Sequence, residues 1–181
     1  MTENEWLSCD DPRPMLEFLR GKVSERKARL FDCACCRKQL QGTQHPTADE
    51  RGWMSVEVSE RYAERRTMKS DNPGYFRVND SYVYFKGASI PLALLHDIFG
   101  NHFRPVSIEP VLLTTTVMNL ASAAYEERAL PSGEFDTARL AILADALEEA
   151  GCANADILNH LRGPGPHVRG CWVIDLLIGK S

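Results

Sequence analysis

"ARLAILADALEEAGCANADILNHLR", residues 138–162, decides the fold class. A helix of about 137–150 runs into Gly151, the residue type that most readily closes a helix. "NADILNHLR" reads as a second, shorter helix. "GPGP" at 163–166 stops it, because proline lacks the amide a helix needs and glycine gives the backbone freedom to leave.

The same punctuation recurs outward from this stretch. On the C-terminal side, about 170–178 is apolar enough for a buried closing helix. On the N-terminal side, "LPSGEFD" is a loop. Before it, a helix of about 112–129 carries Leu113, Val117, Leu120, Ala121, Ala124 and Tyr125 at helical spacing. "HFRPVSIEP" is extended, since each proline restrains its predecessor. Pro91 opens a short helix that Gly100 and Asn101 close. Near the start, Asp11 and Pro12 begin a helix ended by Gly21, and Ser24 caps another of about 25–40. Thr47 and Glu50, at capping-box spacing, begin a third of about 48–67. "YFRVNDSYVYFKG" breaks the helical pattern. Its aromatic and branched residues around Asn79 and Asp80 predict a β-hairpin at about 75–86. The expected fold is therefore mainly α: a single compact multi-helix domain over 1–181. It comprises a helical part at 1–69, a hairpin insertion at 70–90 and a second helical part at 91–181.

A chain of 181 residues, 44% hydrophobic and 25% charged, can bury a core without metal or disulfide support. The net charge of −4 speaks against a dedicated nucleic-acid binder. "MTENEWLSCDDPRP" lacks the pattern of a signal peptide, and no stretch approaches the length of a membrane helix. The expectation is a cytoplasmic protein without membrane contact, whose thiols stay reduced.

"LFDCACCRKQL", residues 30–40, clusters three of the six cysteines. On a helix, Cys33 and Cys36 lie about 60° apart and Cys35 points elsewhere. The pair has zinc-ligand spacing. "GPGPHVRGCW" can supply His167 and Cys171 to complete a site of three cysteines and one histidine, with Cys9 and Cys152 as alternative ligands. Buried cysteines that pack as small apolar groups are the simpler reading, and redox chemistry is a third. His96, Asp97 and His102 can form an acid–base or metal pair. His160, late in its helix, reads as a cation suited to the helix dipole. No G-x-S-x-G, H-E-x-x-H or P-loop pattern is present.

Two surfaces suggest partners. Arg20, Lys22, Arg26, Lys27, Arg29, Arg37 and Lys38, with Arg61, Arg65 and Arg66, can form a phosphate-binding stripe or a solvated helical face. In the hairpin, Tyr82 and Tyr84 share one face and can contact a second chain.

Five strings, "EWLSCDDPRPMLEFLRG", "SERKARLFDCACCR", "SVEVSERYAE", "LLHDIFGNHFRPV" and "ILADALEEAGCANADILNHLRGPGPHVRGCWVIDLLIGK", resemble a large paralogous family of planctomycete proteins. The resemblance skips residues 67–88. "ARLAILADALEEAGCANADILNHLR" also looks like the helix–Gly–helix repeat-companion module of the same bacteria. The resemblance implies lineage and an α-rich fold, and it supplies no activity. Family strings tend to have arginine and proline at positions 96 and 102, which speaks against a shared catalytic role for His96 and His102. The expected function is a non-catalytic interaction or regulatory module that binds protein, either itself or another. Tyr82, Tyr84, Arg26 and Arg29 form its candidate surface. The alternatives are a zinc-stabilised domain using Cys33, Cys36, His167 and Cys171, with nucleic-acid contact, or a thiol- or histidine-dependent enzyme.

Overall fold

The computed structural model describes residues 1–42, 50–64 and 90–180. The chain divides into two compact units, Met1–Leu95 and His96–Ser181. Among the described residues the structure is mainly helical and contains no strand. The hairpin expected at about 75–86, with Tyr82 and Tyr84, lies outside the described residues, as does the Thr47 helix start.

Caps explain where the helices of the first unit begin. Helix α1, Glu3–Ser8, starts with a reciprocal capping box between Thr2 and Glu5. The T-x-x-E signal was present in the sequence, yet this helix was not expected. Helix α2, Pro12–Leu19, has Asp11 accepting from the Arg13 amide at 3.0 Å and Pro12 in its first turn. Helix α3, Glu25–Gly42, follows Ser24, whose hydroxyl accepts from the Lys27 amide. Helix α4, Glu50–Glu64, packs against α3.

A buried ion pair joins α3 to α4. Arg37 Nε and Nη2 donate to the two Glu60 carboxylate oxygens at 2.7 and 2.9 Å. Both side chains are almost wholly buried. This two-pronged geometry fixes the rotation of each helix as well as the distance between them. Arg26 bonds Glu64 at 2.8 Å and is mostly buried. Arg29 bonds Glu25 and lies over the Tyr62 ring.

The second unit begins with His96–Phe99, the end of helix α5 (Leu92–Phe99), which carries Asp97. A 3₁₀ turn at Pro110–Leu112 precedes α6, Thr115–Glu126, which Thr114 caps. Helix α7, Thr137–Glu149, is capped by Asp136, and α8, Ala155–Arg162, by Asn154. Helix α9, Trp172–Leu177, closes the unit. Buried Val117, Ala121 and Ala124 of α6 recur every three or four residues. So do Leu140, Leu143, Ala144 and Leu147 of α7, and Ile157, Leu158 and Leu161 of α8. Each helix thus turns one apolar stripe into a common core, with α7 packed on both α6 and α8. Val173, Ile174 and Leu177 of α9 complete it. No helix among the described residues is long and apolar enough to cross a membrane.

The Arg37–Glu60 pair generates a prediction. Glu60→Leu removes the carboxylate paired with a buried guanidinium and should cost about 3–5 kcal/mol, whereas Arg37→Met with Glu60→Leu should recover most of that loss. Thermal unfolding followed by circular dichroism checks it. A double variant no more stable than Glu60→Leu alone would contradict the reading.

Candidate metal centre

Asp97 sits in the last turns of α5, where a carboxylate meets the negative end of the helix dipole. Its side chain is buried, so it needs partners, and three come from the far end of the chain. His167 Nδ1 approaches Oδ1 at 2.8 Å, and His160 Nε2 approaches the same oxygen at 3.1 Å. The Val168 amide donates to Oδ2 at 2.9 Å. Cys171 Sγ lies 3.2 Å from His160 Nε2. Each of Asp97, His160, His167 and Cys171 offers one ligand atom, all within 4.8 Å of one another, and the group could hold a metal ion.

Local structure explains the convergence. His160 is two residues from the end of α8. Gly165 then takes φ +78°, and a Cβ there would stand 2.9 Å from the His167 backbone nitrogen. Only glycine permits both the conformation and that approach. The Phe135 amide donates to the His167 carbonyl at 2.7 Å, and residues 134 and 168 form an isolated antiparallel bridge. Cys171 is the residue before α9, and it follows three positions behind Val168, whose carbonyl accepts from its amide at 2.9 Å.

The partners assign the protons. Trp172 Nε1 lies 3.2 Å from His160 Nδ1. An indole nitrogen can only donate, so Nδ1 accepts and the neutral ring carries its hydrogen on Nε2. That hydrogen faces both Asp97 and Cys171. The cation read from the sequence at His160 is incompatible with this bond. His167 is different: Nδ1 faces the Asp97 carboxylate and Nε2 faces the Gly163 carbonyl at 3.3 Å. Two acceptors suit an imidazolium that donates from both nitrogens.

Electrostatics agree. Burial opposes the His167 cation, but the hydrogen bond and charge of Asp97, with the Gly163 carbonyl, raise its pKa above 6.5. Burial likewise pushes the Asp97 carboxyl up, but the hydrogen bonds of His160 and His167, with the His167 charge, hold it below 3.8. Burial, reinforced by the Asp97 charge, holds the Cys171 thiol well above 9.0. Cys171 is therefore a protonated, inaccessible sulfur rather than a nucleophile. Moreover, Cys171 and Asp97 approach the same nitrogen of His160. A relay from carboxylate through both ring nitrogens to sulfur needs them on opposite sides.

Of the sequence-derived ligands, His167 and Cys171 meet here. Cys33 and Cys36 lie on α3 in the first unit, Cys33 buried and Cys36 partly so. Burial raises the pKa of both thiols, as it does for Cys35. The sequence groups Asp97 with His96 and His102, whereas in the structure its carboxylate meets His160 and His167. His160 has no ligand role in the reading of the sequence above, although the spacing of His160, His167 and Cys171 around "GPGP" carries the signal.

Compared with protein-family models, curated proteins and solved structures, the chain matches none. What the centre can do therefore rests on its own chemistry.

In metal-free protein, Asp97 contributes stability that is present above pH 3.8 and lost as pH falls through its depressed pKa. His167 contributes stability that is complete below pH 6.5 and lost as pH rises through its elevated pKa. The urea midpoint should therefore fall on both sides of the window from 3.8 to 6.5. Asp97→Asn should lower the unfolding free energy by about 3–5 kcal/mol and flatten the alkaline limb of the midpoint profile. A wild-type midpoint unchanged between pH 6.5 and the alkaline side would refute the His167 assignment.

Proposed function

We propose that this chain is a non-catalytic, cytoplasmic module whose C-terminal unit is a zinc-binding structural domain. One observation carries the reading: a carboxylate, two imidazoles and a thiol from three separate segments place their ligand atoms within 4.8 Å. Thiol with imidazole favours zinc over the hard, oxygen-seeking ions calcium and magnesium. Zinc with Asp97 and Cys171 as anions and two neutral histidines leaves the buried site without net charge.

The donor set fits in most respects. His167 has an outer nitrogen aimed at the Gly163 carbonyl, the arrangement in which a metal-bound imidazole keeps its orientation. Asp97 is further held by the Val168 amide. Asp97, His167 and Cys171 are almost completely buried, which supports a closed structural site rather than a catalytic one with an open position. Zinc would hold α5, α8 and the start of α9 together, displace a proton each from His167 and Cys171, and shift the His160 hydrogen to its other ring nitrogen. The cytosolic setting expected from the sequence, in which thiols stay reduced, accords with a thiolate ligand.

Zinc titration of the full chain, followed by removal of free metal and elemental analysis, tests the proposal. About one equivalent should remain, with a raised unfolding midpoint, and Cys171→Ser should abolish both effects. Cys33→Ser with Cys36→Ser should leave both intact, which separates this centre from the set expected from sequence. Retention below about 0.2 equivalents by the native chain would sink the proposal.

A further inference from the structure

The fit fails at one atom. A metal-bound histidine normally donates its other ring hydrogen to an acceptor. If His160 ligated through Nε2, its hydrogen would move to Nδ1, where Trp172 Nε1 already directs a donor from 3.2 Å. Two N–H groups would then face each other. The indole is also hemmed in. A Cβ at Gly100 would lie 3.0 Å from Trp172 Cγ, so the backbone of Gly100 comes up against one side of the ring. Gly100 has φ +61°, a conformation that keeps the position open to glycine. The His160 ring lies 5.2 Å away, centroid to centroid.

From this contact we infer that Trp172 is a positioning residue that gates the metal centre, an inference resting on the zinc reading above. Its indole N–H holds the hydrogen of His160 on Nε2, pointing at Asp97 and Cys171. In that state the metal-free cluster is internally hydrogen-bonded, and its side-chain polar atoms are not among the buried atoms left without a partner. Asp97, His167 and Cys171 are then the ligands free of this conflict. His160 joins only when the indole gives up its bond to Nδ1. Occupancy is therefore conditional: the ion must displace one proton each from His167 and Cys171, move the His160 hydrogen to Nδ1 and break one tryptophan hydrogen bond.

The test uses the full chain, with zinc chloride as the probe and a chromogenic chelator as competitor. Trp172→Phe keeps an aromatic ring but removes the donor. It should bind zinc about tenfold more tightly than the native chain, the lower end of the range for outer partners of a ligand. Equal or weaker binding by a folded Trp172→Phe variant overturns the gate and leaves the metal centre standing. Failure of both proteins to bind zinc overturns the centre and the gate with it. Nitrogen-15 NMR of the native chain supplies a readout independent of the variant. Metal-free His160 should show hydrogen on Nε2, and zinc should shift the Trp172 indole N–H resonance. Hydrogen on Nδ1, or an indole resonance unmoved at zinc saturation, overturns the proposal.

Discussion

The C-terminal unit depends on one buried carboxylate. Asp97 cannot be ionised in an apolar core without compensation, and it sits where its own helix dipole opposes it. Three donors, two imidazoles and a backbone amide, converge on its oxygens. The demand of that charge links α5 to the last turn of α8, to the glycine–proline loop and to the approach to α9. Core leucines give this unit its cohesion, but they are non-directional. The carboxylate adds direction: it specifies which loop lies against which helix, and with what rotation.

The first unit uses the same physics with different residues. Arg37 and Glu60 are a charge pair buried between two helices, matched in shape as well as in sign. A pair of this kind adds little stability over well-packed apolar side chains of the same volume. Its effect is to penalise any register of α3 on α4 that separates the charges. Cys33 and Cys35 of α3 are buried, and burial raises the pKa of both thiols, which favours their uncharged form.

How much of this was legible in the sequence follows from the range of each interaction. Asp11, Thr114, Asp136 and Asn154 cap helices through bonds to residues two or three positions away, and the helix starts at Pro12, Thr137 and Ala155 could be read directly. The pairing of His167 with Cys171 was legible for the same reason. Asp97 and His160 were not, because their bonds span 63 residues or more and no local pattern encodes them. The tautomer of His160 was further out of reach. It depends on Trp172, which in sequence is only another large residue in a closing helix. Helix α1 is a different case: its capping box was local and readable, but the six residues that follow offer little apolar periodicity to confirm it.

The separation of Asp97 from its partners also bears on how the chain is made. A ribosome releases Asp97 long before Val168, the residue 71 positions later whose amide completes its shell. Until His160 is made, 63 residues on, none of those three donors exists and water must solvate the carboxylate. The centre therefore closes late, after α6, α7 and α8 have emerged.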